Sequence, residues 1–151
     1  PVVLESFLEP VTMKDSDGMR IYRRSLTFLL ETAFSGRFRG AELIIDHSIS
    51  SGGYYCHIDE RPPLSREELM ALQAEMKRLV EADLPFERRE MPISEAITFF
   101  EQENYPDKVS LMRYRRKPYV TLYNVGEHID YHHGYMVPST GYLKWFALLP
   151  A

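Results

Sequence analysis

The chain predicts an α+β fold, an antiparallel sheet with packed helices, and three observations carry the prediction. Apolar residues recur at helical spacing in "RIYRRSLTFLLETAF" and again after Ser65. Runs rich in valine, isoleucine, tyrosine and phenylalanine are joined by short connectors of turn-forming residues. The two kinds of segment interleave without the regular alternation that parallel βαβ units require. The 151 residues, 44% hydrophobic and 26% charged, have the ordinary balance of one soluble domain with a single core.

The elements follow in order. Tyr22, Leu26, Leu29, Leu30, Ala33 and Phe34 mark one face of a first helix, which Gly36 is placed to stop. "AELIIDHS" and "GYYCHID" read as a hairpin turned by "ISSGG". Ser65 and Glu68 have capping-box spacing, and Leu69, Leu72, Met76, Leu79 and Val80 line a helix running to about Ala82. Pro85 closes that helix, "FERREM" is a short strand, and Pro92 and Ser94 open a second helix through "SEAITFFEQE". "KVSLMRY", "PYVTLYNV" and "YLKWFALL", joined through "RRKP" and "STG", are expected as adjacent antiparallel strands. No internal repeat or low-complexity tract interrupts them.

Composition narrows the function classes. No run approaches the eighteen or so apolar residues of a membrane span, and "PVVLESFLEP" carries acids where a signal peptide has a basic leader, so a cytoplasmic protein with no membrane partner is expected. Cys56 stands alone, which removes internal disulfides and thiolate zinc cages. Starting at Pro1 suggests a piece of something longer. A net charge of -4 argues against wholesale nucleic-acid coating. One basic patch remains in "RYRRKPY": Arg113, Arg115, Arg116 and Lys117 are either a solvated hairpin or a contact for RNA or phosphate.

The stretch "EHIDYHHGYMVP" concentrates chemistry-bearing side chains. If extended, it places His128, Asp130 and His132 on one face and Ile129, Tyr131 and His133 on the other. Two imidazoles and a carboxylate suit zinc or iron, yet histidines two apart on a strand are also common as hydrogen-bonded or exposed residues. No metal is expected; His128, Asp130 and His132 are the candidates if one is held. Cys56 and His57 face opposite ways and share no ligand set. No GxSxG elbow and no G-x-x-x-x-G-K-[ST] loop is present, and "SGRFRG" lacks the lysine and hydroxyl that hold nucleotide phosphates.

Taken together, "YRRSLTFLLETAF", "DHSISSGGYYCHI", the capped helix and "IDYHHGYMVP" resemble the second additional domain of threonyl- and alanyl-tRNA synthetases, over roughly residues 22–148. In the threonyl enzymes that domain hydrolyses mischarged tRNA with an H-S-x-x-H-L-L helix and a D-x-C-x-G-x-H-x-P segment; in the alanyl relatives comparable side chains hold zinc. On this chain the helix motif falls on "RSLTFLL", with Arg24 and Phe28 where the histidines belong. The second falls on "DYHHGYMVP": Asp130, Gly134 and Pro138 are kept, His132 replaces the cysteine and Met136 the last histidine. Zinc usually needs at least three protein ligands, and neither phenylalanine nor methionine moves a proton. The resemblance therefore implies an editing-type domain without catalytic residues, with a candidate cleft at Arg24, Phe28, Asp130, Tyr131, His132, His133 and Met136. Tyr135 is a further candidate wall. Arg24 is suited to a phosphate or carboxylate. The alternative is a residual aminoacyl-tRNA or ester hydrolase, with His132 as base oriented by Asp130 or His128.

"GEHIDYHHGYMVPSTGYLKWFALLP" and "RIYRRSLTFLL" further resemble the amino-terminal half of bacterial uridine-kinase-like proteins, which implies a parent phosphotransferase of nucleosides. Its P-loop kinase would lie beyond Ala151 and alone would use ATP and Mg; no cofactor is expected for this chain. Residues 1–20 are expected as a leading segment from a preceding region, and 21–151 as the editing-type domain, truncated on its C-terminal side. The expected partners are the downstream kinase domain, and RNA, tRNA or a small ligand.

Overall fold

The computed structural model describes residues 9–50, 52–59 and 61–150. The expected leading segment therefore lies in part (residues 1–8) outside the described residues, as does Ser51 of the expected turn. The α+β class holds, with two small antiparallel sheets rather than one: β1 (Glu42–Ser48) with β2 (Tyr54–Asp59), and β3 (Glu87–Pro92), β4 (Tyr119–Val125) and β5 (His128–Tyr131) in that order.

Helix α1 (Ser16–Arg37) is the spine. It begins six residues before Tyr22 and so runs through the expected boundary at residue 20, and it passes Gly36 to end at Phe38, whose N–H donates to the Phe34 carbonyl at 2.8 Å. Tyr22, Leu29, Leu30, Ala33 and Phe34 bury one face against α2 (Arg66–Glu81), which supplies Leu72, Met76 and Leu79. The capping box at Ser65 and Glu68 is formed in both directions. Helix α2 ends before Pro85 because Asp83 takes a left-handed conformation (φ 49°).

Two expected strands are something else. "KVSLMRY" belongs to helix α4 (Pro106–Arg113): Pro106 fits the first turn, Asp107 faces the helix N-terminus, and Val109 and Met112, three apart, are the buried pair. Its β-favouring residues are overruled by a neighbour, since α3 (Ile93–Gln102) offers Ala96 and Phe100 as an apolar face to pack on. "YLKWFALL" forms no strand among the described residues. After a 3-10 turn at Thr140–Tyr142 it lies across α1 and α2, with Leu143 fully buried and Phe146 and Leu148 packed on the core. Side chains replace a ladder there: the Tyr22 hydroxyl accepts from Trp145 N and donates to Trp145 O, both at 2.9 Å, and Leu148 N donates to Gln73 Oε1 at 2.9 Å.

Strand β4 has a core on each side. Val120 and Leu122 pack against α3 and α4, whereas Tyr123 and Val125 pack against Phe28 of α1 and Met136. A two-residue turn at Gly126 (φ 58°) and Glu127 then returns the chain as β5, pairing Val125 with His128 and Leu122 with Tyr131. This return puts the histidine-rich segment against α1. The "VPST" run behind it is anchored to the end of α2: Thr140 Oγ donates to Leu79 O and accepts from Leu84 N, and Phe86 N donates to Pro138 O.

Candidate functional site

The residues of the expected cleft meet where α1 packs against the β4–β5 hairpin. Arg24, Phe28, Glu31 and Ser35 recur at steps of four, three and four, so they form one stripe along the helix. Opposite stands the expected face of β5. His128 and His132 both approach the Phe28 ring edge-on, at centroid distances of 5.0 and 5.5 Å, and Asp130 groups with His128 and Glu31. The strand pairing continues through His132, whose N–H donates to Thr121 O at 3.2 Å, which keeps the period-two alternation intact to that residue.

Phe28 fills the centre of the cleft, fully buried, with Phe86 at 5.8 Å on its other side. Met136 is buried beside it, 3.5 Å from Ser25 Oγ through its sulfur. The Ser25 hydroxyl also accepts from Val137 N at 2.8 Å and donates to Ile21 O at 2.7 Å. Ser25 thus fastens the segment at Met136 and Val137 to α1. Arg24 holds the loop between them, its Nη1 donating to Tyr135 O at 2.7 Å. Gly134 suits this closure twice over: its φ is 103°, and a Cβ there would stand 2.5 Å from Arg24 Nη1. The guanidinium is therefore partly spent on the loop rather than wholly free for an anion.

Around Phe28 the site is electrostatically tense. Burial pushes the Glu31 carboxyl up to about 7, the nearby Asp130 adds to the shift, and Lys108 opposes it. Burial pushes His128 down to about 4 despite the attraction of Asp130. His132 is also lowered, first by burial and then, against the pull of Asp130, by Arg24 and Lys108. Both histidines are thus neutral at pH 7. Asp130 accepts from Lys108 Nζ at 2.6 Å and from Tyr131 N at 2.7 Å. The Lys108 ammonium also sits 4.4 Å from the Tyr105 ring centroid. Among the described residues, two buried polar side-chain atoms lack hydrogen-bond partners, and both belong to this group: Glu31 Oε2 and His128 Nε2.

The remaining expected residues lie outside the cleft's centre. Tyr131 faces the other side of β5, 6.5 Å from Phe100, with the Arg115 guanidinium 5.9 Å over its ring. His133 is exposed with Arg115 Nη2 3.2 Å from its Nε2, and Tyr135 points to solvent at 70% exposure. The basic patch is not a hairpin but the end of α4 and the link to β4. There Arg113 pairs with Glu101 at 2.9 Å, while Arg116 and Lys117 are exposed. Cys56 packs inward, its thiol pushed up by burial and by Glu31, while His57 lies in an outer aromatic row, 6.3 Å from Tyr55. Sequence reasoning missed Glu31, Ser35 and Lys108. Helical spacing from Phe28 would have found the first two; Lys108 was hidden by the strand assignment of its segment.

Fold and cleft define an α+β domain in which a helix and a hairpin close on a small set of histidines and carboxylates around a buried phenylalanine. Its curated relatives are threonine–tRNA ligases. Over 142 residues, 94% of this chain, it is 35% identical to that of Nitratidesulfovibrio vulgaris (strain DP4). It is 37% identical over 139 residues (91%) to that of Carboxydothermus hydrogenoformans, and 33% over 150 residues (99%) to that of Acetivibrio thermocellus. The chain spans 22%, 22% and 24% of these relatives, so it is similar to one region of them. No family model matches. The threonyl-synthetase likeness seen in the motifs extends over nearly the whole sequence.

Proposed function

We propose that this chain is an editing-type domain that no longer hydrolyses aminoacyl esters and serves as a binding and regulatory module. One observation carries the reading: at the position of the second motif histidine stands Phe28, fully buried between His128 and His132. Hydrolysis needs a titratable group within reach of a water and of the ester carbonyl. A benzene ring wedged there supplies no proton and fills the space. Met136, at the other motif histidine, is drawn into the same apolar cluster.

The test is deacylation of mischarged threonine-type tRNA by the full chain and by its His132→Ala variant. Wild type and variant are expected to match the uncatalysed rate. Turnover by wild type that His132→Ala abolishes would establish the residual hydrolase instead.

What the module regulates follows from its resemblance to the front half of uridine-kinase-like proteins. In that arrangement it acts on a downstream P-loop kinase, which supplies the ATP and Mg chemistry, and the exposed Arg116 and Lys117 are available to RNA or phosphate. Reading the gene past Ala151 tests this: a G-x-x-x-x-G-K-[ST] loop is expected. Its replacement by synthetase catalytic sequence would refute the kinase assignment.

A further inference from the structure

We propose that Glu31, His128 and Asp130 bind one divalent ion of the zinc class, at a site that shares only Asp130 with the motif positions and uses none of Arg24, Phe28, His132 and Met136. Each of the three offers a ligand atom, and these atoms lie within 4.8 Å of one another. Ligands 2.0–2.2 Å from a common ion stand roughly 3–4 Å apart, so small side-chain rotations close the set. One imidazole and two carboxylates are a borderline-to-hard donor set that leaves a coordination position open.

A second observation points to a missing partner. Glu31 Oε2 and His128 Nε2 are buried with no hydrogen bond, which is unfavourable unless an ion or a water meets them. The histidine is also held for ligation. Ser35 Oγ lies 3.4 Å from His128 Nδ1 and donates to Thr32 O at 3.1 Å, which leaves its lone pair for Nδ1–H in the tautomer that presents the His128 lone pair on Nε2. A hydrogen bond on the far ring nitrogen is the usual way a metal-binding histidine is oriented.

Charge agrees with the geometry. Two carboxylates face a single ammonium, that of Lys108, 2.6 Å from Asp130 Oδ2. An entering ion competes with Lys108 for Asp130, and the ammonium remains over the Tyr105 ring. A buried water would satisfy the same two orphan atoms without any metal, so the experiment must separate the two.

The full chain, stripped with EDTA and dialysed, is titrated calorimetrically with Zn²⁺, and Co²⁺ absorption reports the ligand field. One equivalent is expected. Glu31→Gln and His128→Gln, close in size to the originals, each weaken binding on the order of 100-fold or more. His132→Ala and Cys56→Ser bind as wild type, and Lys108→Met binds more tightly. Zn²⁺ raises the melting temperature of wild type but not of Glu31→Gln, which gives a readout independent of calorimetry. No stoichiometric ion, retention in either glutamine variant, or loss in His132→Ala overturns the proposal. Because ester hydrolysis is not the readout, failure here leaves the assignment of the cleft as noncatalytic standing.

Discussion

Glu31→Gln should stabilise the metal-free protein at alkaline pH and leave it nearly unchanged in acid. The Glu31 carboxyl is raised from 4.5 to about 7, so between those values the unfolded chain releases its proton while the folded chain keeps it. Stability therefore falls as pH rises through that window. At about 1.36 kcal/mol per unit, the full penalty above pH 7 is about 3 kcal/mol. His128 has the opposite sign. Its folded value is lowered from 6.5 to about 4, so stability rises with pH between 4 and 6.5 by a similar amount. The two slopes oppose each other in wild type, and the lowered His132 adds to that of His128, so the acid-side profile is the balance of the three groups. Glutamine mimics the protonated acid and removes one slope. Urea unfolding in EDTA should then show Glu31→Gln gaining about 2–3 kcal/mol at pH 8, or about 5–10 °C in melting temperature for a chain of this size, and almost nothing at pH 4. A variant equal to or weaker than wild type at pH 8 would refute the account of Glu31 as a desolvated, unpaired acid.

Other perturbations test the packing around it. Phe28→Ala should cost about 3–5 kcal/mol in urea unfolding, because the ring is fully buried at the junction of α1, β4 and β5. Thr140→Val should cost about 1–3 kcal/mol by the same measurement, since it leaves Leu84 N and Leu79 O without their shared hydroxyl. Gly134→Ala should lower stability by about 1–3 kcal/mol, combining strain at positive φ with a clash against Arg24; Arg24→Ala in the same chain should relieve part of it. If the patch meets RNA, Arg116→Glu with Lys117→Glu should weaken binding of a tRNA acceptor-stem hairpin and flatten its salt dependence in a filter assay.

The fold was legible wherever local signals and burial agreed. The capping box at Ser65, the spacing of Leu72, Met76 and Leu79, and the alternation of "HIDYH" all appear in the structure as the sequence presents them. The failures share a cause. "KVSLMRY" and "YLKWFALL" have β-favouring composition, but what decides their form is what each packs on: α3 for the first, the α1–α2 surface for the second. The cleft was legible through its motif positions, because Phe28, His132 and Met136 are brought together by the same helix and hairpin. Its ionisable part was not. Glu31 and Ser35 become relevant only when β5 lies alongside α1, and Lys108 reaches Asp130 from a helix the sequence disguised.

The central claim is that a buried phenylalanine has replaced hydrolytic chemistry in an editing-type cleft, and single-turnover deacylation of mischarged threonine-type tRNA tests it most directly. The measurement is run with the full chain in EDTA and again with Zn²⁺, so that a metal effect is read separately. The account predicts rate constants equal to the protein-free control in both conditions. A wild-type rate well above that control, lost in His132→Ala, would contradict it.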